Sequence, residues 1–251
     1  MKIDRREFFR TTNAAILGSL VLGCGQKQQQ KTQWTGFKYA MCNESMMDLS
    51  WQEQCQIISR AGYTGVEIAA FTFVKEKGVS EISPTRRAEM VQVMKNNGLD
   101  CVGLHWLLAP PPTGLHFTTP NVAVRQRTID YLKELIDFCG DLGGTVMIFG
   151  SPKQRNTVEG ATVKEAKKYF VDGLAAVADH AQQRHIQILV EHLGSEQTNV
   201  VNTLEEALEI VKAVNHPAID MMFDFHNTPD ETEDFVTLLK RYYDNIQHIH
   251  V

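Results

Sequence analysis

From about Thr35 onward, short apolar runs alternate with longer stretches of mixed polarity. The runs at 37–42, 65–69, 100–105, 145–150, 186–191, 219–224 and 246–251 have the length of buried strands. Between them, at about 50–61, 82–97, 121–141, 162–184, 203–214 and 230–243, apolar residues recur every three or four positions, which predicts amphipathic helices. Local signals sharpen the helix ends. Ser50 or Asp48 can cap the first helix, Thr203 and Glu206 have the spacing of a capping box, and Gly62, Gly98 and Gly140 fall near helix ends, where a left-handed residue is wanted.

Unbroken strand–helix alternation calls for a parallel sheet with right-handed crossovers. Acidic residues and histidines recur at the C-terminal ends of the strands, as one central site requires, and no glycine-rich phosphate fingerprint follows the first strand. The expected fold is therefore α/β, a (β/α)8 TIM barrel, in preference to an open doubly wound sheet. A complete barrel takes about 250 residues, and the body at 36–251 holds only seven strand patterns. The expectation is a barrel truncated after its seventh strand, with an open edge that favours self-association into homo-oligomers.

The first 24 residues depart from this rhythm. Arg5 and Arg6 in DRREFFR match a twin-arginine export pattern, and the apolar run from Ala14 to Gly23 is too short to span a bilayer. The run ends in Val21-Leu22-Gly23-Cys24, which predicts a lipoprotein-type signal at 1–24 with Cys24 as the lipidation site, followed by a glutamine-rich tether at 25–35. The expected location is the periplasm or the outer side of a membrane, reached through a lipid anchor alone. Cys42, Cys55, Cys101 and Cys139 fall inside predicted elements with no metal-type spacing, and no disulfide is demanded. A formal net charge of −5 gives no basic footprint for nucleic acid.

Three late strand patterns end in chemistry-bearing residues: Glu191 in LVEHL, Asp224 in FDFHN and His250 in HIHV. Leu189 and Glu191 share a strand face, as do Met222 and Asp224, and His248 and His250. Two carboxylates and an imidazole suit one divalent metal ion, Mn, Co, Mg or Zn. Taken singly, Glu191 reads as a salt-bridged strand end, Asp224 as a cap and His250 as a packed core residue; together they form a ligand set.

These segments, in order with AGYTGVEI at 61–68, GLHW at 103–106 and Asn202-Thr203, resemble the xylose isomerase-like barrel superfamily of sugar isomerases and epimerases, which also contains endonuclease IV. The resemblance implies a metal held by Glu191, Asp224, His250 and a glutamate on an eighth strand, with Glu191 as one of two acid/base groups in an enediolate-type proton transfer on a sugar or keto-sugar. It also implies carbohydrate contacts. His226 resembles the family's substrate-contacting histidine, although that residue commonly stands three positions after the aspartate, where this chain has Asn227, so either side chain is a candidate contact for sugar hydroxyls. Glu67 and His105, at the ends of the second and third strands, face the same mouth as candidate substrate contacts, and Trp106 and Phe71 could supply an apolar wall for a sugar ring. The alternatives are a non-catalytic carbohydrate-binding lipoprotein and an endonuclease IV-like phosphodiesterase. The latter needs a histidine after the fourth strand, where this chain has Phe149-Gly150-Ser151.

Overall fold

The computed structural model describes residues 36–251, so Arg5, Arg6, Cys24, the expected export signal and the tether lie outside the described residues. Seven strands follow one another: β1 Ala40–Cys42, β2 Gly65–Ala69, β3 Asp100–His105, β4 Val146–Phe149, β5 Gln187–Val190, β6 Ile219–Asp224 and β7 Ile246–His250. The helices are α1 Trp51–Arg60, α2 Pro84–Asn96, α3 Val122–Leu142, a single turn α4 Pro152–Arg155, α5 Val163–Gln183, α6 Leu204–Val214 and α7 Phe235–Tyr242. Each strand pairs in parallel with the next, in the order β1 to β7.

The sheet wraps round on itself. In a flat sheet β2 and β7 would stand five strand spacings apart, roughly 24 Å, yet His250 Nε2 lies 3.0 Å from Glu67 Oε2. Curvature of this kind gives two apolar layers. The larger lies between strands and helices and includes Ile68, Leu104, Ile188 and the mutually packed rings of Phe117, Phe149 and Phe170. Burying each such ring contributes about 1.5–3 kcal/mol. The smaller fills the barrel interior with Val146, Ile148, Leu189 and Met222, against which Val102 packs. Gly103 permits the close approach of β3 to β4, since a Cβ there would stand 1.9 Å from the Val146 carbonyl oxygen.

Local chemistry explains the element boundaries. Ser50 caps α1 in a full capping box with Glu53, and Thr162 does the same for α5 with Glu165. At α6 only half of the expected box forms. Thr203 accepts from the Glu206 N–H, but the Glu206 carboxylate turns to the Asn202 N–H at 2.6 Å and to Lys167 Nζ at 2.8 Å. Gly140 lies inside α3, and Gly143, at φ 83°, closes that helix instead. α7 begins at Phe235, later than the periodicity suggests, because Asp234 caps it by accepting from the Val236 and Thr237 N–H groups. β1 is confined to 40–42, short of the expected 37–42. Among the described residues no helix is long and apolar enough to cross a membrane.

Candidate active site

Strand alternation aims one side chain in two into the C-terminal mouth of the barrel. Asp224 and His250 are the last residues of β6 and β7, Glu191 follows β5 directly, Glu67 is central in β2, and His105 ends β3. Glu191 Oε1, Asp224 Oδ2 and His250 Nδ1 converge. The imidazole nitrogen stands 4.0 Å from the first and 3.9 Å from the second, and all three donors lie within 4.8 Å of one another. Separations near 4 Å are too long for hydrogen bonds. They are the separations expected between donors that each lie about 2.0–2.2 Å from one ion. The donor chemistry also fits, being carboxylate oxygen and imidazole nitrogen.

The cluster is braced from behind. Asn227 Nδ2 donates to Glu191 Oε1 at 3.1 Å and to Asp224 Oδ2 at 2.8 Å, and Gln197 Nε2 donates to Asn227 Oδ1 at 2.7 Å. The His226 N–H holds the other Asp224 oxygen at 2.7 Å. Gly150 makes room for the glutamate, because a Cβ there would stand 2.2 Å from Glu191 Oε2. Arg155, wholly buried, donates to the carbonyls of Phe149 at 3.2 Å, Glu191 at 2.6 Å and Val201 at 3.1 Å, which ties the ends of β4 and β5 to the loop before α6.

The electrostatics differ sharply across the mouth. Burial pushes the Glu191 carboxyl up, Asp224 adds to the rise, and the charges on His105, His250 and Arg155 only partly oppose it, leaving the group at about 7. Burial would also raise Glu67, but imidazole contacts from His105, His248 and His250 overcome it and hold this carboxyl well below the usual range. His250 is depressed by burial and lifted more strongly by the Glu67 hydrogen bond and by the charges on Glu67, Glu191 and Asp224, to about 9.

The remaining expected site residues take distinct places. His105 lies 3.3 Å from Glu67 through Nδ1, and its ring stacks on Trp106 with centroids 5.7 Å apart. Trp106 is 37% exposed and holds φ 55°, an uncommon conformation for a bulky residue. Asn227 is buried at the cluster, while His226 is exposed. Phe71 lies half-buried on the short 3-10 turn that follows β2. Sequence reasoning gave no role to Arg155, Gln197, Gly150 or His248. The shared strand face of His248 and His250 was legible, but the contact of His248 with Glu67 was not.

Residues 55–251 match the family described as xylose isomerase-like TIM barrel. This chain belongs to that family. A probable ketose 3-epimerase of Synechocystis sp. is 23% identical over 196 residues, covering 78% of this chain and 64% of the relative. A ketose 3-epimerase of Arthrobacter globiformis is 25% identical over 128 residues, covering 50% of this chain and 41% of the relative. The chain thus spans less than two thirds of the length of these curated relatives. Of the solved structures, a D-psicose 3-epimerase crystallised in the presence of D-fructose superposes with a TM-score of 0.73 at 17% identity, covering 85% of this chain and 72% of that one. The 3-keto-D-glucoside 4-epimerase of E. coli gives 0.70 at 15% identity, covering 86% and 78%. At such identities these superpositions establish the barrel fold.

Proposed function

We propose that the protein is a metal-dependent epimerase or isomerase that moves a proton next to the carbonyl of a ketose or keto-sugar. The observation that carries the reading is the convergence of Glu191, Asp224 and His250, with donor atoms within 4.8 Å of one another, in a barrel whose relatives include ketose 3-epimerases. Glu191, Asp224 and His250 would hold a divalent cation, which when bound supplies Lewis-acid polarisation of a carbonyl. Glu191 is one of the two acid/base groups that such a transfer needs, taking or delivering the proton on its own face of the sugar, with the partner group acting on the other face. Asn227 keeps both carboxylates oriented, and the exposed face of Trp106 offers an apolar wall for a sugar ring, with His105 and His226 as hydroxyl contacts.

The test is solvent exchange. Protein loaded with Mn²⁺ and incubated in D₂O with free ketoses and 3-keto-glycosides should incorporate deuterium at the carbon beside the carbonyl, and Glu191→Gln should abolish the incorporation. Sugar binding without exchange would move the protein to the carbohydrate-binding class. The Arg5-Arg6 pair and Cys24 support placing this activity outside the cytoplasm, on an unphosphorylated sugar. Cys24→Ala should then release the protein from membranes, as fractionation would show.

A further inference from the structure

Glu67 faces the site from the opposite wall, 4% exposed, on a strand 183 residues away in sequence from its partner on β7. Its Oε2 makes a well-aligned hydrogen bond with His250 Nε2 at 3.0 Å. A neutral imidazole carries one proton, on one of two nitrogens, and a hydrogen bond at one nitrogen decides what the other presents. Since a carboxylate only accepts, the bond to Glu67 puts the proton on Nε2. In the neutral imidazole that a cation would require, the Nδ1 lone pair then faces Glu191 Oε1 and Asp224 Oδ2, 4.0 and 3.9 Å away.

The rest of Glu67 is walled in. His248 Nε2 lies 3.1 Å from Oε1, and His105 Nδ1 lies 3.3 Å from Oε2, neither with the alignment of a hydrogen bond. The rings of His105 and His248 also flank His250, with centroids 4.9 and 5.1 Å from it. A sugar hydroxyl would have to displace an imidazole to reach this carboxylate.

We propose that Glu67 is a positioning residue and not a sugar contact: it fixes the tautomer and orientation of His250 so that Nδ1 faces a divalent cation shared with Glu191 and Asp224. The inference rests on the metal reading of the site given above. A carboxylate behind a ligating histidine raises its basicity and locks its ring, and loss of such a partner weakens metal affinity by about ten- to a hundredfold.

Two measurements test it. Calorimetric titration with Mn²⁺ should show one site in the native protein and a site about ten- to a hundredfold weaker in Glu67→Gln. Nitrogen-15 spectra of histidine-labelled, Zn²⁺-loaded native protein should show the His250 proton on Nε2, and in Glu67→Ala, which leaves no acceptor, that proton should exchange faster with water. The native spectrum decides the question even if the variant fails to fold. Equal Mn²⁺ affinity in native and variant proteins, or a Zn²⁺-loaded native protein with the His250 proton on Nδ1, overturns the inference and leaves the metal site standing. A native protein that binds neither Mn²⁺ nor Zn²⁺ overturns the site assignment, and this inference with it.

Discussion

Glu67 and Glu191 are two carboxylates on opposite walls of one barrel mouth, 4% and 3% exposed, and they are driven in opposite directions. Burial penalises the charge on both. Glu67 meets three imidazoles, which outweigh the penalty. Glu191 meets a second carboxylate, the Asn227 amide and more distant positive charges, which do not. Partners, not depth, decide which carboxylate stays ionised. The wall left short of positive charge is the one where Glu191, Asp224 and His250 bring their donor atoms within 4.8 Å of one another, and a divalent cation there would offset the deficit.

The largest expected effect comes from dismantling the deficient wall. Glu191→Ala, Asp224→Ala and His250→Ala should each weaken Mn²⁺ binding by more than about a hundredfold, beyond the range for groups that only brace a ligand. Metal analysis of dialysed protein and calorimetry measure this, and unchanged metal content in all three variants would remove the basis of the contrast. Next is Arg155, the cation behind Glu191. Arg155→Leu removes hydrogen bonds to three buried carbonyls, of which those of Phe149 and Val201 keep backbone donors in Glu191 and Leu193, and should cost about 2–3 kcal/mol of stability by urea denaturation.

A third buried ionisable group sharpens the comparison, because it has burial without partners. His192 is fully buried with neither ring nitrogen hydrogen-bonded, and burial pushes it down to about 4. The unfolded chain takes up a proton near pH 6.5, whereas the folded chain resists until about 4. Between those values the unfolded state binds more protons, so stability falls as the pH falls. At pH 5 the penalty is about 2 kcal/mol relative to neutral pH, and His192→Gln should show that much less acid sensitivity in urea titrations at the two pH values. The smallest effect is at Gly150. Gly150→Ala should displace the Glu191 carboxylate and weaken Mn²⁺ binding about tenfold, the lower end of the range for a disturbed ligand. Native affinity in that variant would show that the carboxylate has room to spare.

The strands and most helices were legible because apolar period and caps agree: Ser50 with Glu53 both predicts and makes the start of α1. The convergence of Glu191, Asp224 and His250 was legible because strand ends in a parallel barrel share one mouth. Other features had no local signal. Glu206 leaves its box for Asn202 and Lys167, a choice set by where α5 packs. Arg155 sits on a single turn after Pro152, where no periodicity marks an inward direction, and its partners come from three separate segments. The choice between His226 and Asn227 at the cluster depends on the turn after β6, where the His226 N–H binds Asp224 and Asn227 is brought inward.

The bond from Glu67 to His250 joins chain positions 183 residues apart. Closing so long a loop is entropically unfavourable until the intervening strands have assembled. A partly folded chain therefore carries Glu67 in water, beside no imidazole of β7, and cannot yet align His250 with Glu191 and Asp224. The alignment of His250 is therefore a property of the assembled barrel and of none of its strands taken separately.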